Sequence, residues 1–244
     1  MRKTILITGA SRGIGRATAL SLEDKNLNVV VNYKEQKEKA YEVVKELREK
    51  GLNAIAIQAD ISNFEQVEKM YEEIENTFGP VDILVNNAGI ATTRFCQDVS
   101  IDEWHEIFNV NVNGMFYCTK LALKHMINKK SGRIVNLTSV WGQTGGSMES
   151  HYAATKGAII SYTKAIATEL ALSNIRVNAV APGGVDTDML ANLPQAAKDA
   201  YAQEVPMGRL GQAHEIANVI KFLISDEASY ITGQIIAVNG GYYN

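Results

Sequence analysis

The chain has 244 residues, 46% hydrophobic and 21% charged, with a formal net charge of −3. That length is ordinary for one α/β domain and lets roughly 70–75% of the unfolded surface leave water. The slightly negative balance offers no sequence-wide basic surface, so neither nucleic acid nor an anionic membrane is an expected partner. The two cysteines, Cys96 and Cys118, have no metal-ligand spacing and imply no disulfide framework. They read as small buried hydrophobes, and a reducing cytoplasm is the expected location. The four histidines form no ligand pattern, so no metal is expected. No run of about 18 apolar residues suits a membrane span. The start, MRKTILITGA, enters a glycine turn too soon for a signal peptide.

In chain order, short apolar runs alternate with longer helical patterns. KTILIT (3–8) leads to a helix over 13–25, NVVVNY (28–33) to a charged amphipathic helix over 35–50, and AIAIQAD (54–60) to a helix over 63–78. DILVNNAG (82–89) is followed by a polar loop and a long helical stretch over 102–128. GRIVNLTS (132–139) precedes a helix over 151–172, and IRVNAVAPG (175–183) precedes a segment, 184–210, with no clear period. A helix over 214–225 and the strand QIIAVNGG (234–241) end the pattern. Apolar, β-branched strands alternating with helices predict a doubly wound parallel sheet covered on both faces. No linker or repeat divides residues 1–244, so one dinucleotide-binding domain is expected, with 184–210 as its binding loop.

TGASRGIG joins the first strand to the first helix and spaces Gly9, Gly13 and Gly15 as G-x-x-x-G-x-G. Glycines at such a turn let backbone approach a pyrophosphate, which the helix N-terminus attracts. An acid at the end of the second strand would bind the ribose of NAD. Here that strand ends VVVNYKEQK, with Asn32, Tyr33 and Lys34 in place of an acid. Arg12 and Lys34 can together hold a 2′-phosphate, so NADP(H) is favoured over NAD(H). Asp60, after the third strand, is placed to accept from an adenine amino group, and NNAG (86–89) ends the fourth strand at the same edge.

Y-x-x-x-K occurs three times, at Tyr33…Lys37, Tyr41…Lys45 and Tyr152…Lys156. Only Tyr152 follows a serine-bearing strand end, Ser139, by one loop and opens a helix. Together, T-G-x-x-x-G-I-G (Thr8–Gly15), NNAG, Asn111 in NVNG, Ser139, Tyr152 with Lys156, and P-G-x-V-x-T (Pro182–Thr187) carry a resemblance. The chain resembles the short-chain dehydrogenase/reductase family over essentially its whole length. It is most like the 3-oxoacyl-[acyl-carrier-protein] reductases and the acetoacetyl-CoA reductases, through GASRGIGRA, VNVNG, YAATKGAI, RVNAVAPG and GRLGQAHEIA.

That resemblance implies a Rossmann-like sheet of seven parallel strands ordered 3-2-1-4-5-6-7 and a homotetramer built through late helices and the last strand. It implies cofactor contacts at Gly9, Ser11, Arg12, Gly13, Ile14, Gly15, Asn32, Lys34, Asp60, Ile61, Asn87, Ala88 and Gly89, and again at Tyr152, Lys156, Pro182, Gly183, Val185 and Thr187. Val185 and Thr187 would grip the nicotinamide carboxamide and present its pro-S hydride. The catalytic set would be Asn111, Ser139, Tyr152 and Lys156. Tyr152 would be the general acid, its pKa lowered by the Lys156 ammonium and the oxidised ring. Ser139 would hold the substrate oxygen, and Asn111 a relay water.

For the substrate, Gln143, Gly145, Gly146, Met148, Met189 and Leu193 are candidate pocket walls, mostly small or apolar, suited to an acyl chain. Lys129, Lys130 and Arg133 offer part of a basic patch for an acidic acyl carrier protein. His151 reads as a surface or packing residue, since neighbours on a helix point about 100° apart. An acyl thioester on the carrier protein or on CoA is expected. Another alcohol, sugar or ketone is the alternative, and a non-catalytic nucleotide-binding regulator is a third.

Overall fold

The computed structural model describes residues 2–188, 190 and 194–243. Its elements, in order, are β1 (Lys3–Ile7), α1 (Gly13–Leu20), β2 (Leu27–Tyr33), α2 (Lys37–Glu49), β3 (Asn53–Gln58), α3 (Phe64–Phe78) and β4 (Val81–Asn86). There follow α4 (Ile101–Phe108), a π turn (Asn109–Asn113), α5 (Gly114–Lys129), β5 (Gly132–Leu137), α6 (Trp141–Thr144), α7 (Ser150–Leu170) and β6 (Ile175–Pro182). The last are β7 (Val185–Asp186), α8 (Gln195–Glu204), β8 (Gly211–Gln212), α9 (Ala213–Ile224) and β9 (Ile235–Val238).

Seven strands form one sheet in the order β3-β2-β1-β4-β5-β6-β9, every pairing parallel. This is the expected order, with β9 as seventh strand and β7–β8 as a separate two-stranded ribbon. Side-chain alternation divides each central strand between two cores. Ile5, Ile7, Val29 and Val31 join Ala19, Val43, Leu47, Ile216 and Ile220 from α1, α2 and α9 on one face. Leu6, Val30 and Leu84 join Met70, Ile74, Cys118, Ala122, Ile166 and Leu170 from α3, α5 and α7 on the other. Strands buried on both faces read as unbroken apolar runs, and every residue of β2 is buried. Cys118 is buried as expected, whereas Cys96 is exposed in a short turn.

Helix starts follow local chemistry. Asn63 Oδ1 accepts from the Gln66 amide to cap α3, and Ser100 with Glu103 closes a capping box on α4. The stretch expected as one helix over 102–128 is α4 and α5 joined by the π turn, which holds Asn111. The segment 184–210 is more regular than expected, since it contains β7 and α8. No residue of α8 is fully buried, so it carries no apolar period to read. No helix among the described residues is long and apolar enough to cross a membrane.

Candidate active site

The glycine loop is shaped by what lies against it. Gly9 has φ +61°, and a Cβ there would meet the Ala88 Cα at 2.9 Å. A Cβ on Gly15 would meet Asn87 Nδ2 at 2.5 Å and the Gly9 carbonyl oxygen at 2.7 Å. The Ala88 and Asn87 contacts fall on the NNAG segment, so the two glycine motifs form one packed unit. Asn87 Nδ2 donates to the Thr8 and Gly9 carbonyls at 2.8 and 3.1 Å, and Thr8 Oγ1 accepts from the Asn87 and Ala88 amides at 3.0 Å each. The Asn87 side chain thus fastens the loop. Asn32 does likewise: it is buried, accepts from the Gly9 amide at 3.2 Å and donates to the Ala59 carbonyl at 3.1 Å.

Gly13, at φ +56°, faces the other half of the site. A Cβ there would stand 3.8 Å from the Thr187 side chain. No side chain caps the first turn of α1, and that turn holds no acid. Free N–H groups at an uncapped helix start, above a loop with no Cβ atoms, fit a pyrophosphate. The cradle therefore suits a dinucleotide. Ser11 is buried and Ile14 partly so within this unit. The Ile61 side chain is buried, and a Cβ on Gly114 would meet it at 2.6 Å, so it packs against α5. Pro182 accepts from the Val140 amide, Gly183 donates to the Val238 carbonyl, and Val185 lies buried in the ribbon.

Ser139, Tyr152, Lys156 and Asn111 converge at the carboxyl edge of the sheet and are all buried. The Ser139 hydroxyl stands by the Tyr152 phenol and favours its ionised form, and Ser139 Oγ accepts from the Trp141 amide at 3.2 Å. Lys156 Nζ lies 5.4 Å from the Tyr152 ring centroid and donates to the Leu137 carbonyl at 2.8 Å. A Cβ on Gly89 would meet Asn111 Oδ1 at 3.1 Å and Lys156 Nζ at 3.6 Å, which places both beside NNAG. Asn111 clamps Ile90, accepting from its amide at 2.8 Å and donating to its carbonyl at 2.9 Å, with its second donor on Thr155 Oγ1 at 3.1 Å. Both amide hydrogens are thus committed, and Oδ1 keeps one acceptor site.

A family model described as enoyl-(acyl carrier protein) reductase matches residues 9–243. The chain belongs to the short-chain dehydrogenase/reductase family. It is 45% identical over 243 residues to a 3-oxoacyl-[acyl-carrier-protein] reductase FabG of Staphylococcus aureus, covering 100% of this chain and 99% of that one. It is 43% identical over 237 residues to a 3-oxoacyl-[acyl-carrier-protein] reductase of Synechocystis sp., covering 97% and 95%. Among solved structures, a 3-oxoacyl-[acyl-carrier protein] reductase from Brucella melitensis superposes with a TM-score of 0.92 at 36% identity, over 99% of this chain and 92% of that one.

In this short-chain dehydrogenase/reductase the electrostatics of the Tyr–Lys pair follow from burial. Burial pushes the Tyr152 phenol above its ordinary value; the Ser139 hydroxyl opposes this, while Glu149 and Tyr201 add to it. The expected cationic lowering does not dominate in the chain itself, because desolvation of the phenolate is the larger effect. Burial lowers Lys156 to about 8. Glu149, at the start of α7, is raised by burial as well.

The surroundings correct other expectations. Lys129, Lys130 and Arg133 surround the start of β5, whereas Ser139 follows its end. A strand of that length separates them by about 20 Å at roughly 3.3 Å per residue, so the patch lies at the wrong edge of the sheet for the site. Lys129 is also paired with Asp82, and Arg133 with Asp226. Lys34 Nζ meets Asp60 Oδ2 at 2.8 Å, so two residues expected to face different parts of the cofactor pair with each other. His151 is fully buried, with Nε2 2.6 Å from Thr92 Oγ1, and is a packing residue rather than a surface one. Gln143 Oε1 is buried and finds no hydrogen-bond partner among the described residues, as suits a group awaiting a ligand. Gly145 has open space at its Cβ position, Gly146 lies against the Trp141 ring, and Met148 holds φ +61°. Met189 and Leu193 lie outside the described residues.

Sequence reasoning missed three aromatic rings. Trp141 stacks with Tyr201 at 6.4 Å between centroids, and Tyr242 meets both edge-on at 5.7 and 5.8 Å. They come from α6, α8 and the C-terminal segment, so no local pattern groups them. Gly142 was missed too: a Cβ there would meet the Lys156 carbonyl carbon at 2.7 Å, so its absence lets α6 lie directly against the Tyr–Lys helix. A glycine three residues after Ser139 was the available signal.

Proposed function

We propose that this short-chain dehydrogenase/reductase reduces the 3-keto group of an acyl thioester, on acyl carrier protein or CoA, to the 3-hydroxyacyl thioester, with NADPH preferred. The observation that carries the reaction type is the buried Ser139–Tyr152 hydroxyl pair beside Lys156, next to a dinucleotide cradle. The substrate class rests on the full-length relatives, both 3-oxoacyl-[acyl-carrier-protein] reductases by name. The lack of an acid at the end of β2, with Arg12, Lys34 and Lys39 near the loop, supports NADPH. A single domain, a homotetramer and a cytoplasmic location are part of the same proposal; the half-buried edge strand β9 and the fully exposed Leu172 and Tyr230 leave surface for assembly.

When bound, the nicotinamide supplies a hydride. The chain supplies the proton and the geometry. Ser139 Oγ holds the substrate carbonyl oxygen beside the Tyr152 hydroxyl. Burial keeps that phenol neutral, so it has a proton to give as negative charge develops on the oxygen. Lys156, with a pKa near neutrality, stabilises the resulting phenolate and helps return its proton. Asn111 fixes Ile90 and Thr155 around the pair, and Gln143 offers a free acceptor. Thr187 faces the glycine loop, and Val185 lies two residues before it in the ribbon; together they would grip the nicotinamide amide.

Steady-state NADPH oxidation with 3-oxobutanoyl-carrier protein, acetoacetyl-CoA, a 2-enoyl thioester and a panel of sugars tests the assignment. The two ketothioesters are expected to exceed the others in kcat/KM by at least about a hundredfold. Preference for the enoyl thioester, which the family model's description names, or for a sugar would overturn it.

Lys156 adds a pH prediction. Its charge is present below its lowered pKa and lost above it, so kcat/KM for NADPH should fall as pH rises through about 8. A profile flat from about pH 7 to 9 would contradict the role of its charge.

A further inference from the structure

Three cations gather by the glycine loop, and acids of this chain already hold them. Lys34 is taken by Asp60. Arg12 Nη1 and Lys39 Nζ both meet one oxygen, Asp188 Oδ2, at 3.5 Å each. Arg12 belongs to the loop, Lys39 to the first turn of α2, and Asp188 to the segment after β7, 176 residues beyond Arg12. The approach is set by the backbone, because Gly13 in the loop stands directly against Thr187, the residue before Asp188. All three side chains are about half exposed, and charge draws them together. A single anionic oxygen shared by a guanidinium and an ammonium is the arrangement that a phosphate monoester takes.

We propose that Asp188 occupies the seat of the cofactor's 2′-phosphate and so acts as an internal competitor that limits the preference for NADPH over NADH. The proposal rests on the NADPH assignment made above. A carboxylate brings one negative charge and a phosphate monoester about 1.5 to 2, so the phosphate wins the two cations and Asp188 turns out to solvent. Part of the phosphate's attraction is therefore spent displacing Asp188. NADH has no such phosphate and leaves the Arg12–Asp188–Lys39 contact in place. Among acids near the loop, Asp188 is the one joined to two cations, while Asp60 is also tied to Ser62 and serves its own turn.

The test is direct binding of NADPH and of NADH, followed by cofactor fluorescence, to the full chain and to its Asp188→Asn and Arg12→Ala variants. Asp188→Asn keeps the shape and removes the charge. It should tighten NADPH roughly three- to tenfold, as two half-exposed ion pairs allow, and change NADH less than about twofold. The difference between wild type and variant should shrink at high salt. Unchanged or weaker NADPH binding in Asp188→Asn, or an equal gain for NADH, overturns the proposal while leaving the NADPH assignment intact. Equal binding of both cofactors by wild type, unaffected by Arg12→Ala, removes the NADPH assignment and the proposal with it.

Discussion

Tyr152→Phe is expected to lower kcat about a thousandfold while changing NADPH affinity less than about threefold. The substitution removes one oxygen and leaves the ring, which is 92% covered by the protein, with 8% exposed. The Lys156 ammonium keeps its place, since its hydrogen bond goes to the Leu137 carbonyl and not to the phenol. What is lost is the proton donor and the partner of Ser139. The split is therefore diagnostic: a structural role for Tyr152 would disturb cofactor binding and folding, whereas a chemical role lowers kcat alone. Single-turnover NADPH oxidation, with cofactor titration on the same preparation, measures both. A kcat within tenfold of wild type would remove Tyr152 from the mechanism.

Gly142→Ala should cost kcat about a hundredfold through geometry rather than chemistry. Its new methyl would lie 2.7 to 2.9 Å from the carbonyl carbon, Cβ and carbonyl oxygen of Lys156. Two of those are backbone atoms, so no flexible side chain can yield, and α6 and α7 must part. Ser139 precedes α6, and Tyr152 with Lys156 rides on α7, so the separation opens the hydroxyl pair. Overpacking of this kind also costs about 1–3 kcal/mol of stability, to be read by denaturant unfolding. Gly79→Ala is the control. It has nothing within 4 Å of its Cβ position and lies before β4, away from the site, with φ +84° and ψ 176° in a region essentially reserved for glycine, so about 1–3 kcal/mol is lost and kcat is kept. If the two variants lose kcat equally, close helix approach is not what aligns the site.

The sheet was legible because its strands are continuous β-branched runs, and a strand buried on both faces has little else to be. The glycine loop was legible from its place between strand and helix. Asn111 was marked only by the resemblance, since 102–128 read as one helical stretch with no π turn in it. What escaped was whatever depends on distant pairing. Lys39 reads as one more charge in KEQKEKA and gains meaning only from Asp188. The cations near β5 were legible as charges, but not which end of the strand they occupy relative to the site. α8 offered no apolar face, and Tyr201 on it meets Trp141 and Tyr242 only in three dimensions. The desolvation of the Tyr152 phenol also escaped, because sequence gives spacing but not burial.

The central claim is that hydride and proton meet at a ketone between the cradle and Tyr152. Stereospecifically deuterated NADPH tests it most directly, with 3-oxobutanoyl thioester as substrate and mass spectrometry of the product. Deuterium from the pro-S position should appear on the carbinol carbon of the 3-hydroxy product, and pro-R deuterium should stay with the oxidised cofactor. Label retained from the pro-S position, or no turnover of the ketothioester at all, would contradict the account.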